Sequence, residues 1–368
     1  MATLLVFLIL LSVLILVHEL GHFFAAKKLG VVAEEFGLGL PPRVRRLFSW
    51  KRTEFTLNWL PIGGFVRMRG EDADNSEFRI QNSELVKRGY FYAQKPWKRA
   101  VILIAGVTMN LIFGIAAFTV VYSFLGIPTE TDKVIVQGVA PGSPADQAQL
   151  HSGEAVLELK VKSEKLKVKD TNEFVKLVNE NRGQEITLVV SKDGTTREAV
   201  LVPRLESQTP ENEGALGVAI SNLEFVRYPW WQMPFRATVT GAKEALGWSV
   251  NIVAGLGSMV SQLVIHGRLP KDVAGPVGIA YIAGNVARQG WLALTQFAGI
   301  LSVNLAIVNL LPFPALDGGR LLFLGIEKLR GRPLNPAKER WVHLIGYGIL
   351  ITLILLATVQ DILRILSS

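Results

Sequence analysis

Two histidines and a glutamate lie inside an apolar stretch long enough to cross a bilayer, and this constrains the chain more than any other feature. Residues 2–26 are almost wholly apolar and contain His18, Glu19 and His22. A spanning helix needs about 20 such residues, and a helix is one of only two backbone forms that satisfy their own hydrogen bonds in lipid. Ionisable groups are costly there, so they point to chemistry before they point to packing. Lys27 and Lys28 follow the stretch, the reverse of a cleavable leader, so it reads as a retained first span.

Three further stretches qualify as spans: residues 100–125, 291–311 and 342–363. Residues 245–265 are less apolar and read as an amphipathic helix lying on the membrane surface, with a fifth span as the alternative. Hydrophobic residues make up 49% of the chain and charged residues 19%, below the roughly 25% of soluble domains. The net charge of +8 collects in two loops. Residues 30–99 carry Arg43, Arg45, Arg46, Lys51, Arg52, Arg67 and Arg69, and residues 313–340 carry Arg320, Lys328, Arg330 and Arg332. Short basic loops stay in the cytoplasm. Both termini and the segment between spans two and three are therefore expected outside it. The same distribution accounts for the charge without a nucleic-acid partner. With no cysteine, disulfides and thiolate ligands are excluded.

The expected fold is a polytopic α-helical membrane protein of about four spans, with a membrane-associated β-hairpin and an inserted β domain. Residues 1–126 hold two spans and the hairpin loop, and 127–226 the extracytoplasmic β domain. Residues 227–290 form an interfacial helical segment, rich in Trp at its start, and 291–368 the last two spans. Within the β domain, Asp193-Gly194 marks a hairpin turn between two strand-like runs.

His18-Glu19-Leu20-Gly21-His22 is an H-E-x-x-H pattern on a helix. Four-residue spacing brings both imidazoles to one face, where one metal ion accepts both, and Glu19 stands beside that face to take a proton from an activated water. The bland alternative is a helix end whose polar groups reach for the interface. A tetrahedral ion needs a third protein ligand. His151, His266 and His343 lack suitable surroundings. Asp317, in Leu316-Asp317-Gly318-Gly319 after the third span, is expected at the same depth as His18 and His22, because both helices run inward. A helix N-cap is its other reading. Asn304 and Asn309 precede the break at Pro312 and Pro314. They can bind substrate backbone or steady an oxyanion, or they can join helices.

HELGH in a first span together with Asn-Leu-Leu-Pro-Phe-Pro-Ala-Leu-Asp-Gly-Gly after a later one resembles the site-2 protease family of intramembrane zinc metalloproteases. The resemblance extends to the bacterial regulator-of-sigma-factor protease branch with one PDZ domain. The resemblance implies Zn2+ held by His18, His22 and Asp317, Glu19 as general base, and Asn304 and Asn309 as substrate-binding residues. It implies a bacterial inner-membrane enzyme with its active site toward the cytoplasm. The implied substrates are single-span proteins such as anti-sigma factors or remnant signal peptides, cut in regulated intramembrane proteolysis. Two rivals remain in view, a membrane scaffold with a dead site and a zinc transporter. No ligand or base is missing, against the first, and the polar groups cluster at one end, against the second.

Residues 54–70 read as a hairpin turning at Gly63 and Gly64. Its edge, with Phe65 and Val66, suits an unwound substrate added as a strand. By resemblance it is a membrane-reentrant hairpin; an ordinary cytoplasmic hairpin is the alternative. Val139-Ala140-Pro141-Gly142-Ser143-Pro144-Ala145 is similar to loops that open PDZ domains, and Leu216, Gly217 and Val218 to the loop that takes a peptide C-terminus. Residues 149–159 depart from that pattern. The domain therefore either binds peptide ends or excludes bulky partners.

Overall fold

The protein is described by a computed structural model covering residues 2–71, 83–161, 164–168, 170–192, 194–210, 213–266, 274–332 and 334–367. In chain order, α1 (Ala2–Leu29) leads into two long strands, β1 (Ala33–Trp50) and β2 (Thr53–Met68). The short α2 (Ser83–Lys87) precedes α3 (Pro96–Leu125). A β region follows, with β3 (Ile127–Val139), α4 (Pro144–Gln147), β4 (Ala155–Val161), β5 (Glu164–Lys167), α5 (Thr171–Glu180), β6 (Ile186–Lys192), β7 (Thr195–Leu201) and β8 (Val218–Val226). The rest is helical: α6 (Met233–His266), α7 (Pro276–Arg288), α8 (Trp291–Leu310), α9 (Asp317–Arg330) and α10 (Pro336–Ser367).

Among the described residues, four helices are long and apolar enough to cross a membrane: Thr3–Leu29, Pro96–Leu125, Trp291–Leu310 and Ala337–Arg364. Residues 245–265 fall within α6, which is not one of the four. The chain divides into two compact units, Met1–Val121 with Pro234–Ser368, and Tyr122–Met233.

In the first unit, β1 and β2 fold over α1. Phe36 lies opposite both Val66 and Phe55, so the first part of β1 is flanked by two stretches of β2. The turn between the strands is at Lys51 and Arg52, both with positive φ, closing the Trp50–Thr53 pair. This is the backbone of a two-residue hairpin turn, in which Asn-Gly is the usual sequence signal. A second reversal lies inside β2: Leu38 is opposite both Leu57 and Gly64, so the chain doubles back between them, and Gly63 has a positive φ of 67° there. Gly63 and Gly64 at its end lie against α1, where a Cβ on Gly63 would come 2.8 Å from Ile15 and one on Gly64 2.6 Å from Leu16. The two glycines serve both the reversal and the close approach to a helix. An apolar cluster of Phe23, Ala33 and Phe36, with Leu16, Phe55 and Val66 packed on it, fixes the sheet to α1. Glu35 is buried beneath the sheet and takes hydrogen bonds from Arg43 (2.7 Å), Arg67 (2.7 Å) and Thr56 (2.8 Å). Burial pushes its carboxyl up, but the Arg43 and Thr56 hydrogen bonds and the Arg67 charge outweigh burial and hold it below the ordinary range.

Elsewhere in this unit, Arg99 at the start of α3 pairs with Glu327 of α9 at 3.0 Å, both buried. The Arg99 guanidinium also lies 4.6 Å from the Tyr92 ring centre. Asp361 of α10 accepts the N–H groups of Gly275 (3.1 Å) and Gly278 (2.7 Å) and so satisfies the free donors at the start of α7.

The second unit holds a sheet in the order β7-β6-β4-β3-β8, with β5 beside β4. Lys192 opposite Thr195 closes the β6–β7 hairpin; Gly194 is its positive-φ residue, and Asp193 lies outside the described residues. The amphipathic α5 buries Phe174 and Val178 in a core with Val134, Leu159, Leu188 and Leu216.

Candidate metal centre

In α1, His18 and His22 follow one another by a helical turn, and both rings are buried. Gly21 lets α3 approach: a Cβ there would lie 2.3 Å from the Ala105 carbonyl oxygen. On α3, Gly106 leaves the room that the imidazoles occupy. A Cβ at Gly106 would be 2.5 Å from His22 Nε2 and 2.8 Å from His18 Cε1. The His22 ring is oriented from behind, with Nδ1–H donating to the Ile102 carbonyl at 2.8 Å. That tautomer leaves the Nε2 lone pair facing the centre. The Asn110 amide lies 3.4 Å from His18 Nδ1, and Asn110 Oδ1 is buried without a partner. Turning that amide over gives Oδ1 the Nδ1–H of His18, which frees His18 Nε2 in the same way.

Asp317 opens α9 after the break at Pro312 and Pro314. The tight path explains the two glycines that follow it. A Cβ on Gly318 would meet the Leu311 carbonyl oxygen at 2.1 Å, and one on Gly319 the Phe313 carbonyl oxygen at 2.3 Å. Ala315 takes a positive φ of 83°, and its N–H donates to His343 Nδ1 at 3.1 Å. Leu316 occupies the cap position, and Asp317 turns its side chain to the imidazoles. Asp317 Oδ2 is 2.9 Å from His18 Nε2 and 3.2 Å from His22 Nε2, and the two nitrogens are 3.1 Å apart. Three donor atoms converge with almost the separation tetrahedral zinc demands, about 3.3 Å for bonds of about 2.0–2.1 Å. Two imidazoles and one carboxylate are a catalytic-type donor set, which leaves a position for water or substrate. The residues therefore fit a zinc ion.

Glu19 stands beside this triangle, and its Oε2 accepts the backbone N–H of Val66 in β2 at 2.9 Å. A cavity of about 360 Å³ opens onto the centre, lined among others by Glu19, Phe65, Val66, Asn309, Asp317 and Arg320. Asn304 is not among them. It lines a separate apolar cavity of about 240 Å³ with Phe7, Leu14, Pro276, Ile279 and Val308. Five residues along a helix turn a side chain by about 140°, so Asn304 and Asn309 cannot share a face. In the second unit, Leu216 is buried, and Gly217 donates its N–H to Gly214 at 3.0 Å. That donor of the Leu216-Gly217-Val218 loop is already engaged.

Several contributors escape a reading of motifs. The Ile102 carbonyl has no sequence signature, since every residue carries one. Gly106 and Asn110 are visible as a small and a polar residue in an apolar span, a signal for close packing or a buried polar role. The contact of Arg320 with Glu71 joins α9 to the residues just after β2.

A donor triangle with a glutamate beside it, two of its three donors on a helix of membrane-spanning composition, has the make-up of a catalytic metal centre. Residues 6–353 match the model of peptidase family M50. The chain belongs to that family and is a zinc metalloprotease of the site-2 type. It is similar to the zinc metalloprotease RasP of Geobacillus kaustophilus, 28% identical over 428 aligned positions that cover 97% of this chain and 96% of that protein. It is also similar to the regulator of sigma-W protease RasP of Bacillus subtilis, 28% identical over 438 positions and 99% of each chain. Among solved structures, it is similar to the PDZ domain of an SdrC-like protein from Listeria monocytogenes at 18% identity, over 26% of this chain and 93% of that one, with a TM-score of 0.20.

Proposed function

We propose that this chain cuts single-span membrane proteins within or near the bilayer, with zinc held by His18, His22 and Asp317. The observation that carries the proposal is the meeting of three donor atoms within 3.2 Å beside Glu19, one pair of them from a helix of spanning composition. Zinc bound there supplies Lewis-acid chemistry. Glu19 takes the proton of the attacking water and passes it to the leaving amine. Asn309, on the cavity wall, hydrogen-bonds the substrate backbone or its developing oxyanion. An intact helix hides its carbonyls, so the substrate enters unwound and adds as a strand beside Phe65 and Val66. Gly63 and Gly64 hold that strand against α1. Asn304 lies too far round α8 for the same duty, and its role here is packing.

The substrates we propose are the remnants of proteins trimmed elsewhere, among them anti-sigma factors and signal peptides. The sigma-W name of the Bacillus subtilis relative supports the first of these. The basic loops support an orientation with the active site toward the cytoplasm and the termini and β domain outside. We read the β domain as PDZ-like and as a filter against bulky partners rather than a clamp on peptide ends, because the Gly217 donor is taken within its own loop.

Asp317→Asn separates this proposal from a structural role for the triangle. The substitution keeps size and removes charge. Purified in detergent, wild type should carry one zinc per chain by elemental mass spectrometry. Asp317→Asn should lose most of it, together with peptide hydrolysis, while its thermal unfolding stays near wild type. Full zinc content and full activity in Asp317→Asn would remove Asp317 from the site.

A further inference from the structure

One edge of β2 carries an arrangement that the hydrolytic chemistry alone does not require. Residues 64–67 pair with β1 on one side. The N–H groups of alternate residues in a strand point to opposite edges. Arg69 donates inward, to the Val32 carbonyl at 2.8 Å. Val66 and Met68 donate outward, and each of these donors meets a carboxylate. Val66 N–H reaches Glu19 Oε2 at 2.9 Å, and Met68 N–H reaches Glu71 Oε2 at 3.2 Å. Glu71 is in turn gripped by Arg320, one turn of α9 beyond Asp317. Val66 and Met68 both face the cavity at the metal centre.

These are the two donors that a peptide strand added to this edge would take for its own carbonyls. An open strand edge is a liability that proteins cover in some way, and here two carboxylates cover it. One of the two is the catalytic glutamate. We infer that Glu19 and Glu71 hold the places of two substrate carbonyls, and that addition of a substrate strand is the event that releases Glu19 from Val66. The inference rests on the metallopeptidase reading and names what regulates its base. Before a peptide arrives, β2 holds Glu19 by its outward N–H. When the peptide carbonyl takes Val66 N–H, the carboxylate is freed for the water. Chemistry is thereby tied to an extended backbone in register with β2, and a helical segment passing the site leaves the base where it is.

The test compares two inactive full-length chains in lipid nanodiscs, His22→Phe and His22→Phe with Glu19→Ala. Both lack a zinc ligand, so neither cleaves, and they differ only in the cap on Val66. The probe is a synthetic single-span peptide with a Gly-Pro break in its apolar segment. Hydrogen exchange of the fragment covering residues 63–68, without peptide, should be about ten-fold faster in the double variant. The peptide should bind that variant about ten-fold more tightly, the effect of removing one competing charged hydrogen bond, and binding should slow exchange at Val66 in both. Equal exchange and equal affinity in the two chains would overturn the inference, as would weaker binding by the double variant. If Glu19→Ala does not fold, Glu19→Asp, one methylene too short to reach Val66, replaces it with the same expectations. Exchange and binding need no turnover, so failure here is distinct from failure of the Asp317 experiment.

Discussion

Gly106→Ala is expected to lower zinc affinity by about a hundredfold while the chain remains folded. The added methyl falls 2.5 Å from His22 Nε2 and 2.8 Å from His18 Cε1, inside any permissible contact. The rings cannot simply step aside, because His22 Nδ1 is bound to the Ile102 carbonyl and His18 sits against Asn110. One or both Nε2 atoms must leave the triangle. Disturbing the groups that orient a histidine ligand commonly costs 10–100-fold in metal affinity, and here the ligands themselves move. Alanine is a better helix former than glycine, so α3 should persist. Competition with a chromophoric chelator measures the affinity, and circular dichroism reports the helices. Wild-type affinity in Gly106→Ala would mean that the packing of α3 against α1 differs from that described.

Glu19→Gln should do the opposite, keeping the metal and losing the reaction. Glu19 contributes no atom to the donor triangle and contacts Val66 instead. The amide oxygen of glutamine can still accept from Val66, so the local fold is preserved, but glutamine cannot carry a proton from water to the leaving amine. General acid–base catalysis is worth about 10²–10⁴-fold, and turnover should fall by that factor at unchanged zinc content. Turnover near wild type would assign the base elsewhere, and loss of zinc would make Glu19 a ligand.

How much of this was legible in the sequence depends on whether a feature has local chemistry. His18, Glu19 and His22 are a pattern with a fixed helical geometry, and the charge of the loops placed Asp317 at their depth before any distance was known. The four helices of spanning composition were equally plain, since length and apolarity are the whole signal. The β1–β2 turn was not. Lys51 and Arg52 adopt positive φ without the Asn or Gly that normally announces it, whereas the second reversal, inside β2, is announced by Gly63 and Gly64, which also let α1 pass close by. Asn304 and Asn309 look equivalent in a linear motif and diverge once the helical angle between them is counted. The Ile102 carbonyl and the Val66 N–H are backbone groups, and only the packing of α3 and β2 against α1 brings them to the site.

The reaction at issue is zinc-dependent hydrolysis of a bond within or near the bilayer. Its most direct test is cleavage of a single-span protein by the wild-type chain, both reconstituted in vesicles, with fragment masses read before chelation, after it, and after one equivalent of zinc is restored. The expected result is a new terminus inside or at the edge of the apolar segment, lost on chelation and regained with zinc. A cut confined to the soluble part of the substrate, or cleavage undiminished by chelation, would contradict it.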